Sequence, residues 1–388
     1  MRSSTAWWKP WVPGFLCDDP PPFPSELMTA SLQTFLSERL RQSGVEIEQI
    51  DPLVGDTWDQ IVTARGDHTV FHRSAWARVL AETYGHQPFY LRISIHGREA
   101  ALVPLMAVRS PMTGHRGVSL PFSDFAGPLW TDGQHATSVY SALLDLASAQ
   151  KWKHLEIRGG LIPPVGAQPL QTYDSHHLDL SPGTAAILQH LDASVRRAIR
   201  KSEASGIQIT VARSLTAMDE FYQLHGRTRR RHGLPPQPQR FFRRIAKHLV
   251  ESGLGTIVLA RLADAPVAGA VFLHSAGQAI YKFGASDTEH WPLRPNHGVM
   301  WSAIHELIGI GCKELQFGRT SPLDEGLARF KLSWGSVSKP LSYFRHGGQA
   351  AAWTAADRPP NESHSLIFGR LPLACNRLAG RLIYPHLD

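Results

Sequence analysis

The chain has 388 residues, 43% hydrophobic and 19% charged, with a formal net charge of +7, enough for two domains that each bury a core and too apolar for a disordered chain. Its three cysteines, Cys17, Cys312 and Cys375, are far apart, which excludes a disulfide framework and zinc-ligand spacing and points to a reducing compartment. The apolar runs are strand-length or broken by charge, and Trp7, Trp8 and Trp11 are interrupted by Pro10 and Pro13, so neither a membrane span nor a signal peptide is expected and the location expected is cytoplasmic.

In chain order, residues 1–26 are rich in Pro and Trp and read as an irregular tail, followed over Met28 to Ser43 by a short amphipathic helix or arm. Phe71 to Tyr84 places Trp76, Val79, Leu80 and Tyr84 at helical spacing. Phe89 to Ile95 and Ala100 to Val108 are strand-like and joined by His96-Gly97-Arg98, a hairpin signal. Ser138 to Ala149 predicts a helix and His154 to Ile157 a strand. Beyond a boundary at Asp179 to Pro182, a basic helix is expected from Ala193 to Ser205. Thr256 to Leu262, a turn at Asp264-Ala265-Pro266, and Val267 to His274 repeat the hairpin. Gln278 to Ala285 predicts a strand, Gly298 to Ile310 a helix, Lys313 to Phe317 a strand, and then a loop ends on Phe330-Lys331. The last stretch begins polar and Pro-rich and closes with the basic amphipathic segment LIFGRLPLACNRLAGRLIY.

The order helix, strand, turn, strand, loop, helix, strand thus occurs twice, which predicts a duplicated α/β (α+β) fold. Each unit is expected to be a mixed, mostly antiparallel sheet flanked by helices. The divisions are a tail and arm over 1–44, a first unit over 45–180, a second over 181–346, and a C-terminal tail over 347–388. Strand, loop, helix, strand is a crossover, and such units place their loops at one end of a sheet, where ligands bind.

Several motifs carry a resemblance. FHRSAWARVLAETYGHQPFYL (71–91), VRRAIRKSEASGI (195–207), the YKFGAS strand, Arg294-Pro295-Asn296-His297-Gly298, ELQFGRT (314–320) and FKLSWG resemble, in order and spacing, the GNAT superfamily. They are closest to its tandem-GNAT, Fem-like (FemAB-type) acyltransferases associated with exopolysaccharide and exosortase gene clusters. The resemblance implies two GNAT-like domains and N-acyl transfer, with acyl-CoA or aminoacyl-tRNA as donor substrate. It also implies a small-molecule or lipid-linked envelope precursor as acceptor. Aminoacyl-tRNA and the inner-membrane surface are further candidate partners; DNA is not one. The long coiled-coil arm of some Fem enzymes has no room here. The Gln/Arg-x-x-Gly-x-Gly/Ala loop that cradles coenzyme A pyrophosphate is not matched, since RPNHGVM offers one glycine, and the donor stays open.

Four groups of residues are candidates for chemistry. Arg196, Arg197, Arg200 and Lys201 share a predicted helix. With Arg196 and Arg200, and Arg197 and Lys201, four apart, they either bind phosphate or form a solvated basic face. The run from Arg227 to Arg231, followed by Leu234-Pro235-Pro236, is the densest basic stretch. In the resembling family this passage borders the acceptor site; otherwise its cations complement a helix dipole. Lys331, between Phe330 and Leu332 and close to Trp334, either snorkels or meets a carbonyl oxygen or phosphate. Fem-like proteins carry a lysine in this Phe-Lys context, which makes Lys331 the catalytic candidate. Arg319, Asn296 and Arg231 join the basic helix as substrate-binding candidates, and Asp324 or Glu325 could supply a carboxylate base. The twenty histidines form no metal-ligand spacing, and no Gly-x-Ser-x-Gly elbow is present, so neither a metal nor a serine nucleophile is expected.

The reading that follows is N-acyl or aminoacyl transfer to an amine of a phosphate-bearing envelope or exopolysaccharide precursor. The alternatives are an acetyl-CoA-dependent sugar N-acetyltransferase and a non-catalytic, degenerate GNAT module serving polysaccharide assembly.

Overall fold

The structure is a computed structural model that describes residues 44–347, 353 and 365–387. The expected tail and the arm at Met28 to Ser43 lie outside the described residues. Its strands are β1 (Val45–Ile50), β2 (Gln87–Ile95), β3 (Arg98–Ser110), β4 (Gly114–Val118), β5 (Leu129–Trp130), β6 (His154–Arg158), β7 (Gln171–Asp179), β8 (Gln208–Ala212), β9 (Gly255–Leu262), β10 (Ala265–Ser275), β11 (Gln278–Ser286), β12 (Glu314–Thr320) and β13 (Val337–Gly347). The helices are α1 (Thr57–Arg65), α2 (Ser74–Tyr84), α3 (Ala136–Ala149), α4 (Gly183–His190), α5 (Ala193–Ala204), α6 (Leu215–Arg231), α7 (Gln239–Ile245), α8 (Pro295–Gly309), α9 (Glu325–Leu332), α10 (Ser365–Arg370) and α11 (Leu373–Ile383).

Local chemistry accounts for the hairpins. His96 and Gly97, Ala263 and Asp264, and Ala276 and Gly277 all have positive φ, the backbone of the two-residue turns whose twist matches paired strands. The second turn therefore falls one residue earlier than expected, at Ala263-Asp264, and Ala265 already belongs to β10. In each half the last two strands of the series, β4 with β6 and β11 with β12, run parallel. Parallel neighbours need a crossover, supplied by α3 and α8.

The expected duplication appears as matching strand order, β1-β2-β3-β4-β6 and β8-β9-β10-β11-β12. Two separate sheets do not result. β7 leaves the first half and pairs antiparallel with β12, while β13 leaves the second half and pairs with β6 and β7. The exchange fuses everything into one sheet ordered β1-β2-β3-β4-β6-β13-β7-β12-β11-β10-β9-β8, with β5 beside β3. Two apolar clusters lie mainly within one half or the other, but a third joins Trp76 and Leu80 of α2 to Phe221 of α6 and Phe241 of α7. Trp76 and Phe241 meet edge to face with ring centroids 6.0 Å apart.

Candidate active site

β11 and β12 pair only at their starts, from Gln278 with Glu314 to Ile280 with Gln316. Beyond that they separate, and both carry a bulge where they do. On β11, Val271 opposes Phe283 and Phe272 opposes Tyr281, so Lys282 is the extra residue. On β12, the register against β7 shifts between Gln316 and Arg319, around Gly318 at φ 68. A bulge re-aims side chains and frees ladder groups. At Gly318 the left-handed φ favours glycine, and an added Cβ would also lie 3.2 Å from Asp124 Oδ1.

Lys331 holds the second bulge. It lies on α9, a helix where the sequence predicts a loop. Asp324 Oδ1 starts that helix by accepting from the Leu327 N–H at 3.0 Å, so Asp324 serves as a cap. The Lys331 side chain is buried, and its ammonium donates to Gly318 O at 3.1 Å, Arg319 O at 3.2 Å and Thr320 Oγ1 at 2.8 Å. All three N–H bonds are thereby used. Burial lowers its pKa to about 8 against the opposing pull of Asp124 and Asp324. Phe330 and Trp334, on either side of it, pack on the ring of His297 in the first turn of α8. Burial, with Arg294 nearby, takes the pKa of His297 down to about 4, so that ring is neutral.

Facing these strands is a loop of the first half. Asp124 accepts from Lys282 Nζ at 2.6 Å, and its backbone carbonyl accepts from the Tyr343 hydroxyl on β13. Burial pushes the Asp124 carboxyl up, but Lys282 and Arg319 outweigh it and hold it below the ordinary carboxylate value. Burial also lowers the Lys282 ammonium from its usual value, with Asp124 opposing. The Lys282 ammonium lies 5.2 Å from the Phe71 ring centroid. Arg319, the penultimate residue of β12 where the sequence predicts a loop position, lies over the rings of Tyr173 and Tyr343 and donates to the Tyr343 hydroxyl at 3.1 Å.

A second cluster surrounds the end of β11. Arg231 donates to Ser286 O at 2.9 Å and lies 5.1 Å over Trp291, while Trp291 and Asn296 both donate to Ser286 Oγ. Beside it opens a cavity of about 320 Å³ lined by Arg227, Arg230, Arg231, Ser286, Asp287 and Thr288, with Leu224 and Gly369. Three guanidinium groups and two hydroxyls against one carboxylate make this a setting for an anion.

The structure therefore brings Lys331 together with Arg319, and Asn296 with Arg231, both at the C-terminal ends of the parallel strands. Arg196 is engaged elsewhere, donating to the carbonyls of Gln189 and Leu191 at the end of α4. Arg197, Arg200 and Lys201 are exposed on α5. That helix packs on α8 where Gly298 makes room for Ser202, whose Oγ would lie 2.4 Å from a Cβ at Gly298. The glycine of RPNHGVM is thus explained by helix contact. Sequence reasoning misses Asp124, Lys282, Tyr173, Tyr343 and Ser286. For Asp124 a signal exists: a lone acid in the apolar run LPFSDFAGPLW must be paired if buried. Among the described residues no group of three or more His, Cys, Asp or Glu side chains could hold a metal ion.

Residues 172–332 match the family model described as acetyltransferase (GNAT) domain, a span that begins at β7 and ends with α9. Among solved structures the chain is similar to FemX, with 14% identity, TM-score 0.58, and coverage of 76% of this chain and 96% of that one. It is also similar to a tandem GNAT protein from the clavulanic acid biosynthesis pathway, at 11% identity, TM-score 0.50, and coverage of 82% and 100%. A third is the C-terminal domain ascribed to a lysylphosphatidylglycerol synthetase of Agrobacterium fabrum, at 14% identity, TM-score 0.51, and coverage of 76% and 92%. At these identities the likeness is one of fold. No curated protein sequence matches the chain.

Proposed function

We propose that this chain, an acyltransferase by its acetyltransferase (GNAT) domain, moves an acyl or aminoacyl group onto an amine of a phosphate-bearing cell-envelope or exopolysaccharide precursor. The observation that carries the acceptor class is the arginine-lined cavity at the end of β11, beside the gap between the parallel strands. An acceptor whose phosphate sits in that cavity would present its amine toward the bulged segments around Lys282 and Gly318. The amine attacks the donor carbonyl, the carbonyl electrons move to oxygen, and the intermediate collapses as the donor's thiolate or alkoxide leaves and takes up the proton that the amine nitrogen loses. Acceleration comes from holding the two reactants together and from fixed positive groups near the developing oxyanion. Lys331 acts here as a positioning residue, because its three N–H bonds tie down the bulge that carries Arg319.

On this reading the first unit runs over 45–180 and the second over 181–346, with β7 and β13 exchanged between them. Arg231, Asn296 and Arg319 contact substrate, the α5 cations form an outer field, and the protein works in the cytoplasm. The donor is acyl-CoA or aminoacyl-tRNA, and packing of Gly298 on α5 favours a donor that needs no glycine-rich pyrophosphate cradle at α8. Incubating the protein with nucleotide-linked amino sugars and with each donor, and reading intact masses of the acceptors, tests this. The expected result is a mass gain equal to one acyl or aminoacyl group with at least one donor. Acceptor binding without any mass gain would return the chain to a non-catalytic module.

A further inference from the structure

We propose that the outer face of α11 is a docking surface for an anionic lipid bilayer. This rests on that face alone and not on the acyl-transfer reading, so either can fail without the other.

The inner face of α11 is fixed. Asn376 is fully buried and donates to the carbonyls of Leu234 and Phe368, and Arg377 lies over the Tyr222 ring and donates to Gln223. Gly380 lies so close to the Pro235-Pro236 loop that a Cβ there would come within 1.9 Å of Pro236 O. Tyr384 just beyond donates to Pro235 O and accepts from Arg229. A helix held this firmly by one side presents the other. That side carries Leu378 and Leu382, 57% and 63% exposed and one turn apart. The chain then runs to Leu387, also exposed, and the carbonyl of His386 accepts from Thr113 of the turn between β3 and β4 and from Arg116 of β4. At the tip of that turn Met112 is 72% exposed. Among the described residues, four apolar side chains thus follow one another along this edge without cover.

Charge selects the occupant. Residues 365–388 include three arginines, Arg370, Arg377 and Arg381, against one acid, Asp388, and Arg370 and Arg381 are exposed. At the other end the exposed Lys153 lies beside Gly114, its Cδ 3.4 Å from where a Cβ would stand. Apolar residues flanked by cations are the composition of a helix that lies in the interface of a membrane with negative headgroups. No helix among the described residues is long and apolar enough to cross a membrane.

Co-sedimentation of the full chain with vesicles tests the proposal, comparing equimolar phosphatidylglycerol–phosphatidylcholine with phosphatidylcholine alone. At low salt the wild type should partition about tenfold more strongly to the anionic vesicles, and high salt should remove the preference. Leu378→Asn with Leu382→Asn should reduce partitioning about tenfold, and Arg370→Gln with Arg381→Gln should flatten the salt dependence. Neither pair should change the melting temperature, since these side chains are exposed. Equal partitioning to both vesicle types, or a leucine variant that sediments like the wild type, overturns the proposal. So does a wild-type dimer that the leucine variant dissociates, which would make the face an interface between copies. A marked fall in melting temperature of that variant overturns it too, since the face would then be covered by the chain itself.

Discussion

Lys331 sits where a charge is hard to keep: buried, on the last turn of a helix, with a hydroxyl and two carbonyls rather than a carboxylate as its hydrogen-bond partners. Such a group survives only if its N–H bonds are satisfied and its environment is negative enough, and Gly318 O, Arg319 O and Thr320 Oγ1 supply both. Lys331→Met keeps the volume and removes the donors, leaving two carbonyls and a hydroxyl without them. Each buried unsatisfied acceptor costs about 1–3 kcal/mol, partly offset because a buried charge is also removed. Activity should fall about 10²–10³-fold in kcat, the range for losing one element of a preorganised electrostatic site, with KM for the acceptor little changed. The pH signature separates this from ordinary destabilisation. The folded pKa of about 8 lies below the unfolded lysine value, so between the two the unfolded state binds more protons. Stability therefore rises with pH across that window, and below about 8 the group contributes no slope. Denaturation curves either side of about pH 8 should show this slope in the wild type and not in the Met variant; equal slopes would place Lys331 in solvent.

At the scale of elements, two basic helices compete for the role of anion binder. α5 displays Arg197, Arg200 and Lys201 on a convex, exposed face, whereas the end of α6 turns Arg227, Arg230 and Arg231 into a cavity with Ser286 and Thr288. Charge in a concavity is desolvated and focused, so it binds an anion more strongly than the same charge on an open helix. Arg230→Gln with Arg231→Gln should weaken binding of a nucleotide-sugar or pyrophosphate by about 1–3 kcal/mol for each charge-assisted hydrogen bond removed, read by calorimetry at low salt. Arg197→Gln with Lys201→Gln should weaken it by less, through the loss of long-range field alone. The reverse ranking would move the site to α5. Of the two, α5 is visible in the sequence from spacing, as are α2, α3, α8 and the hairpin strands, because periodicity and turn residues are local signals; α6 enters only as the basic run from Arg227 to Arg231. The sequence reading begins α8 at Gly298, whereas the helix starts at Pro295, since proline is at home in the first turn of a helix. β7 and β13 escape it: QTYDSHHLD is polar but for Tyr173 and Leu178, VSKPLSYFRHG contains Pro340, and each is held by a partner remote in sequence. The site suffers most from this, since Tyr173 and Tyr343, the two packed rings that Arg319 lies over, are on those strands.

The exchange of β7 and β13 governs the whole molecule. β13 covers the edge of β6 that faces away from β4, and β7 does the same for the edge of β12 that faces away from β11. Either half alone would expose an unpaired central strand edge, which seeks other chains. The halves also share a core in which Trp76 and Tyr84 of α2 pack on Phe241, and Phe122 packs between Tyr84, Phe241 and Tyr384. At their junction Asp124 of one half neutralises the buried Lys282 of the other, and a buried ion is strongly destabilising when its partner is taken away. Interlocked strands, a common core and a buried ion pair all oppose separate unfolding of the two units, although larger chains usually unfold domain by domain. The chain should therefore melt in one transition, with calorimetric and van't Hoff enthalpies equal, and fluorescence and far-UV circular dichroism should give coincident curves. A chain truncated after Gly335 loses β13 and should aggregate, although the GNAT-matching span of 172–332 is intact. A chain starting at Ser181 lacks β7 and should aggregate for the same reason at β12. Two resolved transitions in the full chain, or a monomeric and folded fragment of either kind, would show that the exchange is incidental and that the units are joined only side by side.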